Sequence, residues 1–283
     1  MEHFENQTFD QERALYGLNG AEVVNCRFDG PADGESALKE CRDITARDCY
    51  FNLRYPFWHV TGCRIHHCAT TENCRAAMWY DRDLHITDSR LDGIKALREC
   101  DDCSIENSAI VSKEFGWMCR NIRIQNSSLE SEYPFLQCHR LEIDGLNMKG
   151  KYSFQYCTDS IIRSSNLDTK DAFWHSKNVT VMDSVIQGEY LAWYSENLHL
   201  IRCTIIGTQP LCYCKGLVLE NCKMLSCDLS FENSEVQAII AGSVDSVKNP
   251  RSGSITADSI GQIILDEFAW KEDPCRIQIR SLT

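Results

Sequence analysis

Asn25-Cys26-Arg27-Phe28 is the stretch that decides the fold, because its pattern returns along the chain at a fixed interval. With Asn25 as anchor, equivalent positions fall at 6, 25, 48, 67, 88, 107, 126, 145, 164, 183, 202 and 221. Nine of the eleven steps are 19 residues, and the other two are 23 and 21. The anchor column is mostly Asn and Asp, the residues expected where a chain turns. Two places earlier every residue is apolar: Phe4, Val23, Ala46, Ile65, Ile86, Ile105, Ile124, Ile143, Ile162, Val181, Leu200 and Leu219. Three places after the anchor a second apolar row runs from Phe9, Phe28 and Phe51 to Met224, with Thr70 its one polar member.

Local spacing selects strand over helix. Ile122-Arg123-Ile124, Val179-Thr180-Val181 and Leu198-His199-Leu200 alternate with period two, as half-buried strands do. A unit of 19 residues is too short for a helical hairpin repeat, which needs about 33 residues, and no leucine-rich consensus is present. The expected architecture is all-β: a right-handed parallel β-helix whose coils each carry three short strands and three turns. Residues 1–233 supply about twelve regular coils, and 234–283 are expected to form irregular last coils and a cap within one domain, 1–283.

The same stacking accounts for the seventeen cysteines. Cys26, Cys49, Cys68, Cys203 and Cys222 directly follow the anchor, where other coils carry Ser89, Ser108, Ser127, Ser165 and Ser184. Cys41, Cys100, Cys119, Cys138, Cys157 and Cys214 form a second column. Small buried side chains at tight inner corners explain both columns as packing ladders of free thiols. The pairs Cys100-x-x-Cys103 and Cys212-x-Cys214 lack a second pair at zinc-site spacing, so no metal and no other cofactor is expected; nothing supports a divalent cation. An odd cysteine count and a start without an apolar export segment point to a cytoplasmic, reduced protein. No stretch approaches a membrane span, and the formal charge of −12 argues against nucleic acid or an anionic membrane as partner.

One segment of each coil departs from plain packing. From six to eleven residues after the anchor, allowing for insertions near Pro31-Ala32-Asp33-Gly34 and Thr70-Thr71-Glu72-Asn73, charged and aromatic residues concentrate. The tenth row reads Tyr16, Lys39, Trp58, Trp79, Arg98, Trp117, Leu136, Gln155, Trp174, Trp193, Cys212 and Phe231; the eleventh includes Glu40, His59, Tyr80, Glu99 and His175. Aromatic platforms interleaved with charge are what a saccharide site needs. The candidate ligand-binding residues on this face are Arg13, Glu35, Tyr55, Trp58, Arg75, Trp79, Tyr80, Lys95, Glu114, Trp117, Asp171, Trp174, His175, Glu189 and Trp193. The competing reading is an aromatic stack that only packs. Catalysis is a weaker expectation: Lys39, Arg98 or Lys95 as base or charge neutraliser for β-elimination on a uronate, with Glu40, Glu99 and Glu114 as the nearby acids, or two carboxylates at equivalent places on adjacent coils as the acid pair of a glycoside hydrolase. The alternative to a saccharide-binding or saccharide-modifying protein is a non-catalytic scaffold that binds protein, including a second copy of itself.

Several segments carry a family resemblance: Glu12-Arg13-Ala14-Leu15, Asp33-Gly34-Glu35-Ser36 with Leu38-Lys39-Glu40, Tyr55-Pro56-Phe57-Trp58, Arg75 to Tyr80, Asp171-Ala172-Phe173-Trp174, Gly188 to Trp193, and Gly242 to Pro250. On these the chain resembles a family of pectin-lyase-like β-helix proteins classed as a domain of unknown function. The resemblance implies the parallel β-helix and a bacterial, intracellular setting. It brings no reaction with it, and fold analogy with polysaccharide lyases is a weak warrant for activity.

Overall fold

The computed structural model describes residues 1–30 and 35–280; the insertion at Pro31-Ala32-Asp33-Gly34 lies outside them. The protein is an all-β parallel solenoid of about 14 turns of about 19 residues, with no α-helix among the described residues. Two compact units, Met1–Asn147 and Met148–Thr283, make up the chain.

In the first unit the main sheet runs through Glu2–Glu5, Asn19–Val24, Arg42–Arg47, Thr61–His66, Arg82–Thr87, Asp101–Glu106, Arg120–Gln125 and His139–Asp144. Pairing is parallel and in register at one coil per step: Ile86 lies opposite Ile65 and Ile105, and Ile124 opposite Ile143. Parallel in-register pairing sets each apolar side chain on its equivalent, which is why the expected inward row from Val23 to Ile143 is buried. Phe4, on the first coil, is half-buried. A second set of short strands, among them Arg27–Phe28, Tyr50–Phe51 and Arg90–Ile94, carries the other inward row, with Phe9, Phe28 and Phe51 stacked at 4.9 and 4.8 Å. Thr70 also points inward and donates its hydroxyl to the Asp92 carbonyl at 2.8 Å.

In the second unit Thr158–Arg163, Lys177–Met182, Glu196–Ile201 and Leu217–Leu225 form a sheet of the same kind, parallel and in register. Beyond residue 233 parallel pairing continues through coils of unequal length. Glu235–Ile240 pairs with Leu217–Leu225, Ser252–Ala257 with Glu235–Ile240, and Arg276–Ile279 with Ser252–Ala257. The coil shortens here, since Val236 faces Leu217 at 19 residues but Gly253 at 17, and this change of step hides the repeat from the anchor pattern. One extra residue near Ser226-Cys227 also shifts the tenth row. Tyr213 bonds to the Glu232 carbonyl, so Glu232 occupies that row, and Phe231 falls one place earlier, fully buried.

The anchor column turns as expected: all twelve residues, from Asn6 to Asn221, have φ between 45° and 69°, including His67, Ser164 and Arg202. The third side of the coil differs from expectation. Among the described residues of the regular coils, Phe57–Trp58, Met78–Trp79 and Leu97–Arg98 form short strands there. In most other coils left-handed residues alternate, as in Glu114, Gly116 and Met118 or Asp171, Phe173 and His175. This alternation turns consecutive side chains to the same side, so the eighth and ninth rows are both buried, as at Ala37-Leu38 and Ala172-Phe173. Left-handed non-glycine residues cost about 1–2 kcal/mol each. Backbone bonds between coils offset that cost, including Glu114 N–H to the Glu132 carbonyl and Asp171 N–H to the Glu189 carbonyl, at 2.8 and 3.0 Å.

All seventeen cysteines are free, and every one except Cys275 is buried. The column after the anchor is a hydrogen-bonded ladder. The amides of Ser89 and Ser108 each donate to the hydroxyl one coil on, at 3.1 Å, and the Cys49 amide donates to the Cys68 sulfur at 3.4 Å. Each hydroxyl in turn donates to the carbonyl two residues before it, as Ser108 does to Glu106 at 2.8 Å. Burial pushes the Cys63 and Cys100 thiols well up, Cys212 up to about 12 and Cys214 to about 11.

Candidate functional site

The backbone bonds of the eleventh row fix the tenth. Glu40, His59, Tyr80 and Glu99 donate their amides to the carbonyls of Trp58, Trp79, Arg98 and Trp117, one coil on. Successive side chains of the tenth row therefore lie one above another at about the 4.8 Å spacing of paired strands, a distance that suits stacked planar groups. The first unit presents a continuous stack. The Lys39 ammonium sits 4.2 Å from the Trp58 ring centre; Trp58 and Trp79 stack at 5.6 Å and 11°. Arg98 lies between two indoles, 5.3 Å from the Trp79 centre and 5.0 Å from that of Trp117. Such cation–ring contacts contribute about 0.5–2 kcal/mol each.

Carboxylates border the stack. Glu99 accepts the Trp79 indole N–H at 3.2 Å and lies 3.6 Å from the Arg98 guanidinium. Glu114 pairs with Lys95 at 3.2 Å and stands 4.0 Å from Arg98. Glu40 meets His59 at 3.1 Å, and Glu35 lies 3.6 Å from Arg54. Tyr55 tilts against Trp58 at 4.9 Å. Arg13 and Arg75 are exposed on the same corner, and Tyr80 stacks on Trp79 at 5.3 Å. Three donors beside these carboxylates, the Trp58 indole N–H and the Arg98 Nε and Nη1, are buried with no acceptor within hydrogen-bond distance.

In the second unit Trp174 and Trp193 stack at 5.5 Å and 4°. Beside them Tyr156, His175, Tyr194 and Tyr213 form an exposed to half-exposed ribbon with ring centres 5.0, 5.2 and 4.9 Å apart. Glu189 is exposed and paired with Lys170 at 2.9 Å. Asp171 is buried, and that burial raises its carboxyl above the usual range.

The structure thus brings the expected corner residues together but changes which surface they offer. All five tryptophans of the row are half-buried. Each has a ring or a cation of its own unit against at least one face, and Trp79 has one against each face, so a ligand at this corner meets ring edges and polar tips more than open aromatic platforms. Asp171 is a packing carboxyl. Among the described residues no group of three or more His, Cys, Asp or Glu could hold a metal ion, and no helix is long and apolar enough to cross a membrane.

A second constellation lies on the outer face of the main sheet in the first unit. His85 Nδ1 is 2.7 Å from the Ser104 hydroxyl, and its Nε2 is 3.0 Å from an Asp83 carboxylate oxygen. A hollow of about 330 Å³ opens there, lined by Asp83, His85, Ser104, Arg123, Arg140 and Glu142 among others. The signal for it is a column five places before the anchor, Gly20, Asp43, Gly62, Asp83, Asp102 and Asn121, all with positive φ.

None of the curated proteins compared with the chain matches it. Among solved structures it is similar to HetL, a pentapeptide repeat protein involved in heterocyst differentiation regulation in Nostoc, at 12% identity and TM-score 0.32, covering 81% of this chain and 92% of that one. It is also similar to the A-module of the mannuronan C-5 epimerase AlgE4 of Azotobacter vinelandii, at 10% identity and TM-score 0.25, covering 83% and 78%. The catalytic domain of a GH87 alpha-1,3-glucanase gives 10% identity and TM-score 0.33, covering 99% and 64%. A family model matches residues 2–279, and the chain belongs to that family, DUF3737, described as protein of unknown function.

Proposed function

We propose that the charged aromatic corner of the first unit binds a saccharide or a similar hydroxyl-rich ligand. The observation that carries this reading is the in-register row Glu40, His59, Tyr80 and Glu99, one polar tip per coil on four successive coils. A coil step of about 4.8 Å is close to the length of one pyranose unit, so an extended oligosaccharide lying across the coils meets one tip per sugar. Arg98, whose Nε and Nη1 are buried without a hydrogen-bond acceptor and lie 3.6 and 4.0 Å from Glu99 and Glu114, adds capacity for hydroxyls, which donate and accept at once. Lys39 and Arg98 cover indole faces, so the corner reads as a binding surface more than as a lyase or hydrolase centre. Titration calorimetry with uronate and neutral oligosaccharides of one to five units tests it. Affinity should rise with length up to about four units and fall at least tenfold in a His59→Ala/Tyr80→Ala variant. No heat from any of these sugars at millimolar concentration contradicts the reading.

A scaffold reading is favoured by a different feature, the stacked ribbon Tyr156, His175, Tyr194 and Tyr213 in the second unit. Tyr156 and Tyr194 are 48% and 46% exposed. Rows of exposed aromatic rings mark association surfaces. If the ribbon joins two copies, light scattering gives a dimer that dissociates in a Tyr156→Ser/Tyr194→Ser variant.

A further inference from the structure

We propose that Asp83, His85 and Ser104 form a proton relay that makes Ser104 a nucleophile toward small carboxylic esters, a site separate from the corner. His85 and Ser104 are paired residues on adjacent strands and point to the same outer face. Asp83 has φ of 52°, and this left-handed turn lets its carboxylate reach the ring of a residue two places on. The ionised carboxylate only accepts hydrogen bonds, so it holds the imidazole proton on Nε2. Nδ1 is then a bare acceptor, and at 2.7 Å it takes the Ser104 hydroxyl proton. The second unit provides a contrast: Asn197 and His199 repeat the spacing, but the residue over His199 is Val218, which has no hydroxyl.

Positive charge lies beyond the nucleophile. Arg123 is the residue paired with Ser104 on the next strand, and Arg140 lines the same hollow. Arg123 donates to Glu142 through Nε at 3.2 Å, and with Arg140 it lines the hollow that Ser104 also lines, so guanidinium groups are within the site where an acyl oxygen would develop negative charge. In the forward step Ser104 Oγ bonds to the acyl carbon while its proton passes to His85. The carbon–alkoxy bond then breaks, and the leaving oxygen takes that proton away as an alcohol. Water attacks the acyl-enzyme with His85 as base, the Oγ–carbon bond breaks, Ser104 regains its proton and the free acid departs.

A fluorophosphonate probe tests the relay on the intact protein. The Ser104 Oγ–phosphorus bond forms, fluoride leaves, and intact mass with peptide mapping locates the adduct. One adduct on Ser104 is expected, formed about a hundredfold or more slowly in His85→Ala, the usual weight of a general base. Asp83→Asn should slow it as well, and Ser104→Ala should take none at that peptide. Absence of an adduct on Ser104 in the wild-type chain overturns the proposal. So does an unchanged rate in a His85→Ala variant whose circular dichroism matches wild type.

Discussion

Trp174 and Trp193 lie with ring centres 5.5 Å apart and planes 4° apart, and each donates its indole N–H to a carbonyl sixteen residues on, Tyr190 at 2.6 Å and Gln209 at 2.8 Å. A tryptophan held by both its face and its N–H is a staple between coils, whatever else the corner does. Trp193→Ala should cost about 2–4 kcal/mol, somewhat below the range for fully buried large-to-small changes. Trp193→Phe keeps a stacked ring and loses one hydrogen bond, so about 1 kcal/mol is expected. Guanidinium denaturation of the pair of variants measures both, and equal losses would show that stacking contributes little.

The ladder after the anchor predicts an unequal response to two conservative changes. Ser108→Ala leaves the buried Ser89 amide without its acceptor, a loss of about 1–3 kcal/mol. Ser108→Cys should cost clearly less, because Cys68 already accepts from the Cys49 amide in the same column. Chemical denaturation in reducing buffer reads both. If the cysteine variant is as damaged as the alanine variant, the ladder is not held by these bonds.

Asp81 sits in the second cysteine column, between Val60 and Cys100. One oxygen accepts the Val60 amide at 2.8 Å, and the other, buried, has no hydrogen-bond partner. Burial holds this carboxyl well above its ordinary value of 3.8. The folded chain therefore keeps a proton that the unfolded chain releases above that value. Its contribution to stability is full at lower pH and declines as pH rises toward the folded value, by up to about 1.4 kcal/mol per pH unit. Asp81→Asn removes this slope, so the variant should gain on wild type steadily from pH 4 upward. Parallel stability curves for the two proteins would contradict the assignment.

Thiol reactivity follows from burial. Of the seventeen cysteines only Cys275 is partly exposed. Its thiol is itself raised, to about 11, by burial, so reaction should be slow but confined to that residue. A thiol-exchange reagent at pH 8 should modify about one cysteine in the native chain, with the rest reacting only once guanidinium unfolds it. Cys275→Ser should abolish the native reaction, and fast modification of several thiols would refute the packed ladders.

Much of this structure is written in the repeat. The Asn and Asp anchors, the two apolar rows and the small-residue columns each follow from one period and the chemistry of turns. The column through Asp43, Gly62 and Asp83 carries the same turn signature, and the 19-residue step places Ser104 over His85. What remains hidden has identifiable causes. Left-handed geometry at Tyr152, Phe154 and Tyr156 has no local signal, because bulky residues seldom adopt it; bonds to the next coil, such as Tyr152 to Lys170 at 2.6 Å, impose it. That geometry also decides the fate of the tryptophan row. Composition shows aromatic and charged residues on one side, but only coil-to-coil distances reveal that Arg98 fills the gap between Trp79 and Trp117 and that ring faces are spent on one another.

Excision of one complete rung tests the account most directly. Removing residues 109–127 joins Ser108 to Ser128 and leaves every later residue one coil back, at its old place within a rung. The account predicts a chain that folds cooperatively, keeps the β-sheet circular dichroism spectrum and loses only a modest part of its stability. Removing 109–117 instead, about half a rung, should abolish folding, since each later inward residue meets the wrong neighbour. Equal failure of both deletions, or equal tolerance, would contradict a stack of equivalent 19-residue coils.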